Sequence, residues 1–279
     1  MINLVSFSDS QYRKAQHRLQ VQAKNSNFFD SINLIDENKL SQTFRIKHKD
    51  ILCNSTRGYG YWIWKPKIIL DEMRALKKGD ILVYVDVGCH INVYGKQRFL
   101  EYVQAVKNSP SGILCFSPSK DLLKNININY SYPEYLNCEW TKGDLLNRLN
   151  LNEDKIFLNK PQLIAGIIII QVNSISLGVI EEWLNICEED YSFINDVVST
   201  NPNPGEFIQH RHDQSVLNCV LYKNGIDPVN ISYYETWPGF PNPGVMEGWD
   251  RLKLMPFHAR RDTARYKIDV LRSMIKKIL

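Results

Sequence analysis

The most constraining stretch of the sequence is the segment 79–89, which reads GDILVYVDVGC. Its centre, Ile81 to Val85, is an unbroken apolar and largely β-branched run, which predicts a strand buried on both faces of a mixed or parallel sheet. The run ends on Asp86, and Gly88 then permits a sharp turn of the backbone. Because ligands of open α/β sheets bind outside the carboxyl ends of the strands, Asp86 is a candidate for holding a metal ion or a sugar hydroxyl. The alternative is an aspartate that only caps the following turn.

The N-terminal segment predicts a strand, a turn and a helix in that order. Residues 2–7 read as a strand, Ser8-Asp9-Ser10 reads as a turn with a helix N-cap, and apolar residues then recur at helical spacing. Such an opening is typical of a nucleotide-binding α/β unit, but neither a Gly-x-Gly-x-x-Gly motif nor a P-loop follows the strand. Because the strand–turn–helix opening suits a nucleotide, Ser6, Ser8 and Arg18 are candidate nucleotide contacts. The alternative is that these residues have only capping and surface roles.

The segment 57–66, RGYGYWIWKP, has the most unusual composition of the chain. Aromatic faces stack on bases or sugar rings, and cationic side chains bind phosphates, so Arg57, Trp64 and Lys65 are candidate donor-binding residues. Pro66 suits the first turn of a helix. The alternative is that the tryptophans form an aromatic plug of the core beneath that helix.

A second pair of elements supplies another carboxylate. Residues 162–171 predict a second buried strand, in which Gly166 would permit a close approach of a ligand or another chain segment. Helical spacing begins at Gln214, which places His212 and Asp213 at a helix N-terminus. Asp213 is either a simple cap or, beside His212 and Gln214, a catalytic carboxylate.

The late segment 256–261 places His258 beside Arg260 and Arg261, which suits a pyrophosphate clamp in which the histidine ligates a metal. A solvated basic turn is the alternative. Residues 263–279 predict a basic amphipathic helix, which would either lie on an anionic membrane surface or pack on the domain. The section 117–160 is polar and weakly periodic, and we expect it to be a variable region that shapes an acceptor site.

Charge and cysteine content limit the function classes. From Arg251 onward the chain has nine Lys/Arg and two Asp/Glu, a balance of +7, whereas the remainder balances at −3. Without a broad basic face, nucleic acid is not an expected partner. The six cysteines are scattered without a Cys-x-x-Cys pair, which predicts reduced thiols, and with no signal peptide or long apolar run the expected location is the cytoplasm, peripheral to the inner membrane.

Taken in order, these features resemble the GT-A class of nucleotide-sugar glycosyltransferases, and most closely the bacterial enzymes that build capsule and O-antigen polysaccharides. The segment 84–88 is similar to the Asp-x-Asp motif of that class, and His212-Asp213-Gln214 is similar to its Asp-Gln motif, with His258 following late. The resemblance spans residues 1–262. It implies one α/β catalytic domain with a GT-A-like (Rossmann-like) mixed, mostly parallel sheet flanked by helices, with a nucleotide-binding half over about 1–116 and an acceptor and catalytic half over about 117–262.

The resemblance also implies a mechanism. A divalent cation, Mn²⁺ or Mg²⁺, would be held by Asp86 and His258 and would neutralise the departing nucleotide diphosphate. The second aspartate of the motif is Gly88 here, a departure that would leave the diphosphate to His258 and the two arginines. Asp213 would lie near the anomeric carbon, as a base in an inverting enzyme or as a stabilising carboxylate in a retaining one, and Gln214 would bind the sugar.

The function expected from this resemblance is transfer of a sugar such as galactose or galactofuranose from a UDP-linked donor to a glycan or lipid-linked glycan. Two alternatives stay open at this point. A sugar nucleotidyltransferase would need a glycine-rich basic loop near the N-terminus, and residues 4–13 contain no glycine. A non-catalytic glycan-binding protein would use the aromatic segment without needing either carboxylate.

Overall fold

The computed structural model describes residues 1–123, 134–237 and 252–260. The strands are β1 (Ile2–Ser8), β2 (Ser31–Asp36), β3 (Ile81–Val85), β4 (His90–Ile91), β5 (Ile113–Ser117), β6 (Ile164–Gln171), β7 (Val229–Ser232) and β8 (Phe257–His258). The helices are α1 (Arg13–Ser26), α2 (Gln42–Lys47), α3 (Gly58–Tyr61), α4 (Trp64–Ala75), α5 (Lys96–Asn108), α6 (Asn137–Trp140), α7 (Gly143–Arg148), α8 (Lys155–Leu158), α9 (Ser174–Glu189) and α10 (Asp213–Lys223). Short 3₁₀ turns cover Ser10–Tyr12, Val93–Gly95, Lys120–Leu123, Tyr191–Phe193, Tyr233–Glu235 and Leu252–Leu254.

Six strands form the central sheet in the order β2-β1-β3-β6-β5-β7. Strand β6 runs antiparallel to both of its neighbours, β3 and β5, while the other pairs in this sheet are parallel. The predicted mixed, mostly parallel sheet is therefore confirmed. The short strands β4 and β8 pair with each other in a separate two-stranded sheet.

The core lies on both faces of the central sheet. Leu82 and Tyr84 of β3 belong to one hydrophobic cluster, which includes residues of α4, α9 and α10. Ile81, Val83 and Val85 belong to the cluster on the other face, with residues of α1 and α5. Because side chains alternate along a strand, this division means that β3 is buried on both sides, as its unbroken apolar run predicts.

The section 117–160 contributes helices and buried side chains to the core where the structure describes it, and its role as a variable region that shapes an acceptor site stays a prediction. Residues 137–158 form α6, α7 and α8, and the connection after α7 adds to the same core. The side chains of Leu145, Leu146, Leu149, Leu151 and Phe157 are buried there. The helices are only four to six residues long, so the apolar pattern never completes the repeats that reveal a helix in sequence.

The predicted basic helix at 263–279 and Arg261 lie outside the described residues. Within residues 1–123, 134–237 and 252–260, no helix is both long enough and apolar enough to cross a membrane. All six cysteines carry free thiols, five of them buried.

Candidate active site

A cleft of about 580 Å³ opens at the carboxyl ends of β1 and β3. One wall comes from Ser8 and Asp9 after β1 and from Asp86 and Gly88 after β3. The aromatic segment 57–65 and the start of α10 form the opposite side. The position agrees with the general rule for ligand sites of open α/β sheets.

Asp86 is held at the end of β3 by backbone and side-chain contacts. Its backbone N–H donates to the Gly166 carbonyl oxygen at 2.8 Å, and the buried Tyr84 hydroxyl donates to its Oδ1 at 2.5 Å. A Cβ atom at Gly166 would lie 3.0 Å from Asp86 Oδ2. A side chain at position 166 would therefore crowd the carboxylate, which gives a physical reason for the glycine expected to allow a close approach.

Asp213 is the first residue of α10, and its side chain is buried. The Trp183 indole N–H donates to its carbonyl oxygen at 2.8 Å. Burial raises the pKa of the Asp213 carboxyl to about 6, and the neighbouring Lys65 ammonium limits the rise. The preceding residue, His212, has φ 53° and ψ −127°, a backbone conformation that costs a residue with a side chain on the order of 1–3 kcal/mol. Such strain is typical of functional sites.

The ammonium of Lys65 lies between the two carboxylates. Its Nζ is 2.9 Å from Asp213 Oδ2 and 3.5 Å from Asp86 Oδ1, and the side chain is 4% exposed. Burial opposes the charge, but the two carboxylates outweigh it and raise the pKa of Lys65. The sequence predicts a donor-binding lysine, whereas the structure pairs this lysine with both candidate carboxylates.

Gln214 and His212 are fixed by hydrogen bonds at the rim. Gln214 Oε1 accepts from the Ala165 N–H at 3.1 Å, and its Nε2 donates to Gln162 Oε1 at 2.8 Å. His212 Nε2 lies 2.9 Å from Asp196 Oδ1, and Arg57 Nη1 lies 3.3 Å from the same oxygen. His212 and Arg57 thus share the carboxylate of Asp196.

Residues of the aromatic segment pack in the core and also line the cleft. Trp64 is buried, its ring stacks on Phe7 with centroids 4.0 Å apart, and its indole N–H donates to the Gly58 carbonyl. Tyr61 and Trp62 pack against the His212 ring, at 5.7 and 5.1 Å between centroids. Much of the segment also lines the cleft, so it supports the strained turn before Asp213 while forming a wall.

Several predicted donor-binding residues are not among those that line the cleft. Ser6 is buried within β1. The Arg18 guanidinium donates to the carbonyls of Val87 and Cys89, and so braces the turn after Asp86. Arg260 is exposed beyond β8, next to Ala259, which does line the cleft. Ser8, Arg57, Trp64, Lys65, Asp86 and Gly88 do line it.

The expected divalent metal does not fit the donor atoms of the described residues. Those residues contain no group of three or more His, Cys, Asp or Glu side chains that could hold a metal ion. His258, the second expected ligand, is buried with its Nε2 2.8 Å from the Leu252 carbonyl oxygen, and burial lowers its pKa. The Asp86 carboxylate already accepts a hydrogen bond from the Tyr84 hydroxyl and lies beside the Lys65 ammonium.

Sequence reasoning missed a group of residues at the end of β1. Asp9, Gln11 and Tyr12 line the cleft, and Asp9 Oδ1 accepts from the Gln11 N–H at 2.8 Å. The sequence did contain a signal for Asp9. This residue directly follows β1 in the same way that Asp86 directly follows β3, and the two strands are parallel. Arg211, Tyr233 and Thr236, which also line the cleft, lie on segments whose position depends on long-range packing.

Comparison with known proteins identifies the fold. No model of a known protein family matches the sequence, and no curated protein matches it either. Among solved structures, a glycosyltransferase involved in glycosylation of the major capsid of PBCV-1 matches 98% of both chains at 10% identity, with a TM-score of 0.50. The chain has a GT-A glycosyltransferase fold.

Two further structures match with lower TM-scores. The bifunctional glycosyltransferase WbbM, in its apo form, is 11% identical over 92% of this chain and 45% of its own, at a TM-score of 0.49. The galactosyltransferase LgtC, in complex with donor and acceptor sugar analogs, is 9% identical over 92% of this chain and 86% of its own, at 0.45. At the level of fold, the resemblance to GT-A glycosyltransferases predicted from the sequence is confirmed.

Proposed function

We propose that this protein is a glycosyltransferase that moves a sugar from a UDP-linked donor to a hydroxyl group of a glycan acceptor. The observation that carries the proposal is that the buried Lys65 ammonium joins the carboxylates of Asp86 and Asp213, all three of which line the cleft of a GT-A fold. Two carboxylates that share one ammonium at the carboxyl edge of a sheet resist a purely structural account, because burying charges is costly.

The end of the cleft near β1 suits the nucleoside of the donor. Tyr12 offers an aromatic ring, and Asp9 offers a carboxylate beside it. Uracil carries an imide N–H that a carboxylate can accept, and its ring can stack on an aromatic face. These residue types suit a base with a ring N–H, such as the uracil of a UDP-sugar.

The end of the cleft near α10 suits the sugar. In the proposed reaction the acceptor oxygen bonds to the anomeric carbon, while the bond from that carbon to the nucleotide diphosphate breaks and its electron pair leaves on the diphosphate. Asp213 then either accepts the acceptor proton, which inverts the anomeric carbon, or stabilises positive charge at that carbon with retention, in which case an oxygen of the departing diphosphate takes the acceptor proton. Gln214, fixed by Ala165 and Gln162, keeps a second amide N–H that would bind a sugar hydroxyl. The anomeric configuration of the product, read by NMR, decides between the two roles of Asp213.

The narrower proposal places the reaction in the synthesis of a bacterial surface polysaccharide, with galactose or galactofuranose as the sugar. It rests on the order of the sequence motifs, and a donor screen tests it. In a thermal-shift screen of UDP-, GDP-, dTDP- and CMP-sugars, we expect one UDP-sugar to stabilise the chain. At a hundredfold excess over Kd the gain is about 2.7 kcal/mol, which corresponds to a rise in melting temperature of roughly 5–10 °C.

Variants make the screen specific to the cleft. Asp86→Ala should lose the thermal shift, whereas Asp71→Ala, which removes an exposed carboxylate from α4, should keep it. Asp213→Asn should retain donor binding and lower the release of free UDP by roughly 10²–10⁴-fold. If no nucleotide sugar stabilises the wild-type chain, the transferase proposal is overturned in favour of a glycan-binding protein.

A further inference from the structure

The GT-A fold leads one to expect a divalent cation beside Asp86. In this structure, however, the Asp86 carboxylate already has a cationic partner, the Lys65 ammonium. Lys65 Nζ lies 3.5 Å from Asp86 Oδ1 and 2.9 Å from Asp213 Oδ2. The ammonium also donates to the Ala165 carbonyl oxygen at 3.4 Å, and its side chain is buried. A lysine held by three oxygens in this way is a fixed part of the site.

The hydrogen bonds of Asp86 lead to the same conclusion. The hydroxyl of Tyr84, two residues earlier on the same face of β3, donates to Oδ1 at 2.5 Å, and Lys65 approaches that same oxygen. Oδ2 faces Gly166, where an added Cβ atom would lie 3.0 Å from it. Mg²⁺ and Mn²⁺ need several oxygen ligands, which proteins usually supply as one or two carboxylates together with substrate phosphates. In this chain, Gly88 stands where the second aspartate of the Asp-x-Asp motif would supply another carboxylate.

Electrostatic repulsion adds to the poor donor set. A divalent ion bound to Asp86 would stand close to the buried Lys65 ammonium, and like charges at so short a distance repel. Within the described ranges, no cluster of three or more acidic, histidine or cysteine side chains offers an alternative.

We infer that Asp86 holds no divalent cation, with or without nucleotide, and that the Lys65 ammonium supplies the positive charge beside this carboxylate in its place. Lys65 is then a positioning residue that keeps both carboxylates in place for the donor sugar. The inference rests on the proposed function only in its choice of UDP as the nucleotide probe.

The test is a titration of Mn²⁺ with the full chain, in which the electron paramagnetic resonance signal of free Mn²⁺ is followed with and without UDP. We expect the full chain to remove no more free Mn²⁺ than its Asp86→Asn variant does. Asp71→Asn is the charge-matched control for weak surface binding, since the exposed Asp71 carboxylate pairs with Lys67 on the surface of α4. Binding of one Mn²⁺ per chain that Asp86→Asn abolishes and Asp71→Asn retains overturns the inference.

A second measurement uses UDP affinity by calorimetry. We expect the Kd in EDTA to lie within twofold of the Kd in about 5 mM Mn²⁺, a concentration in large excess over the protein. A Kd more than tenfold weaker in EDTA contradicts the inference. If UDP does not bind under either condition, the proposed function fails, while the Mn²⁺ titration without nucleotide still decides the question of the metal.

Discussion

At the scale of single residues, Lys65 is the side chain whose removal should cost most. Lys65→Met leaves the Asp86 and Asp213 carboxylates facing one another without their cation, and breaking a buried pair in this way costs about 3–5 kcal/mol of unfolding free energy. Urea denaturation at pH 7 measures the loss. The double variant with Asp213→Asn should recover much of it, because the remaining buried group is neutral.

The neighbouring lysine of α4 provides the control. Lys67 pairs with Asp71 four residues later at a partly exposed position, so Lys67→Met should change the unfolding free energy by less than about 0.5 kcal/mol. Equal losses for Lys65→Met and Lys67→Met would mean that the ammonium between the carboxylates is not a special contact.

The histidines before α10 predict how stability depends on pH. His210 accepts from the Lys142 N–H at Nδ1 and donates from Nε2 to the Phe193 carbonyl, which fixes its neutral form. Burial lowers the pKa of His210 to about 3 and that of His212 to about 4. Because the unfolded chain takes up these protons below pH 6.5, the stability from both residues is present above that pH and is lost as the pH falls.

The raised pKa of Asp213 acts in the opposite direction, since its native carboxyl binds a proton between about pH 6 and 4 while the unfolded one does not. Each histidine loses about 2 kcal/mol between pH 7 and pH 5 and Asp213 regains about 1, so the unfolding free energy should fall by roughly 2–3 kcal/mol. Urea unfolding at the two pH values measures the difference. His210→Gln, which cannot titrate, should remove most of it, and an unchanged pH dependence in that variant would refute this account.

At the scale of elements, the contact between α7 and the loop at 199–203 is close enough to exclude a methyl group. A Cβ at Gly143 would overlap the carbonyl oxygen of Pro202, while the Asp144 carboxylate accepts the N–H groups of Thr200 and Asn201. Gly143→Ala should therefore lower the unfolding free energy by about 1–3 kcal/mol, although alanine favours helices. Chemical denaturation measures it.

Gly178 is the matched control, because it lies on the exposed side of α9 and a Cβ there meets nothing within 4 Å. Gly178→Ala should stabilise the chain by about 0.5–1 kcal/mol. If Gly143→Ala and Gly178→Ala change the unfolding free energy in the same direction, the contact of α7 with the loop is not tight enough to exclude a methyl group.

Strands with a clear apolar run or alternation of apolar residues were predictable from sequence, and strands without such a pattern were not. Strand β3 has the predicted bounds, Ile81–Val85, since five apolar residues between turn signals leave little choice. Strand β2 was missed because only Ile35 of its six residues is buried, so no alternation marks it. Strand β7 has four residues and lies at the edge of the sheet, where few contacts constrain its sequence.

At the scale of the whole molecule, the sequence identified both carboxylates of the candidate site but not their common partner. Asp86 and Asp213 stand at element ends, where local rules apply. Lys65 looked like a residue that meets phosphates, because nothing local reveals that α4 places its ammonium between two aspartates from distant segments. His258 and Arg260 were predicted from their adjacency in the sequence and from the resemblance to the GT-A class, and the structure does not place them among the residues that line the cleft.

The position of β6 in the sheet has a consequence for how the chain is made. This strand lies between β3 and β5, yet it leaves the ribosome after both of them and after α6, α7 and α8. Until it arrives, β3 and β5 each present an unpaired apolar edge, the kind of surface that recruits other strands. Completion of the sheet must therefore wait for a late, long-range pairing, which slows folding and makes the nascent chain a natural client of chaperones.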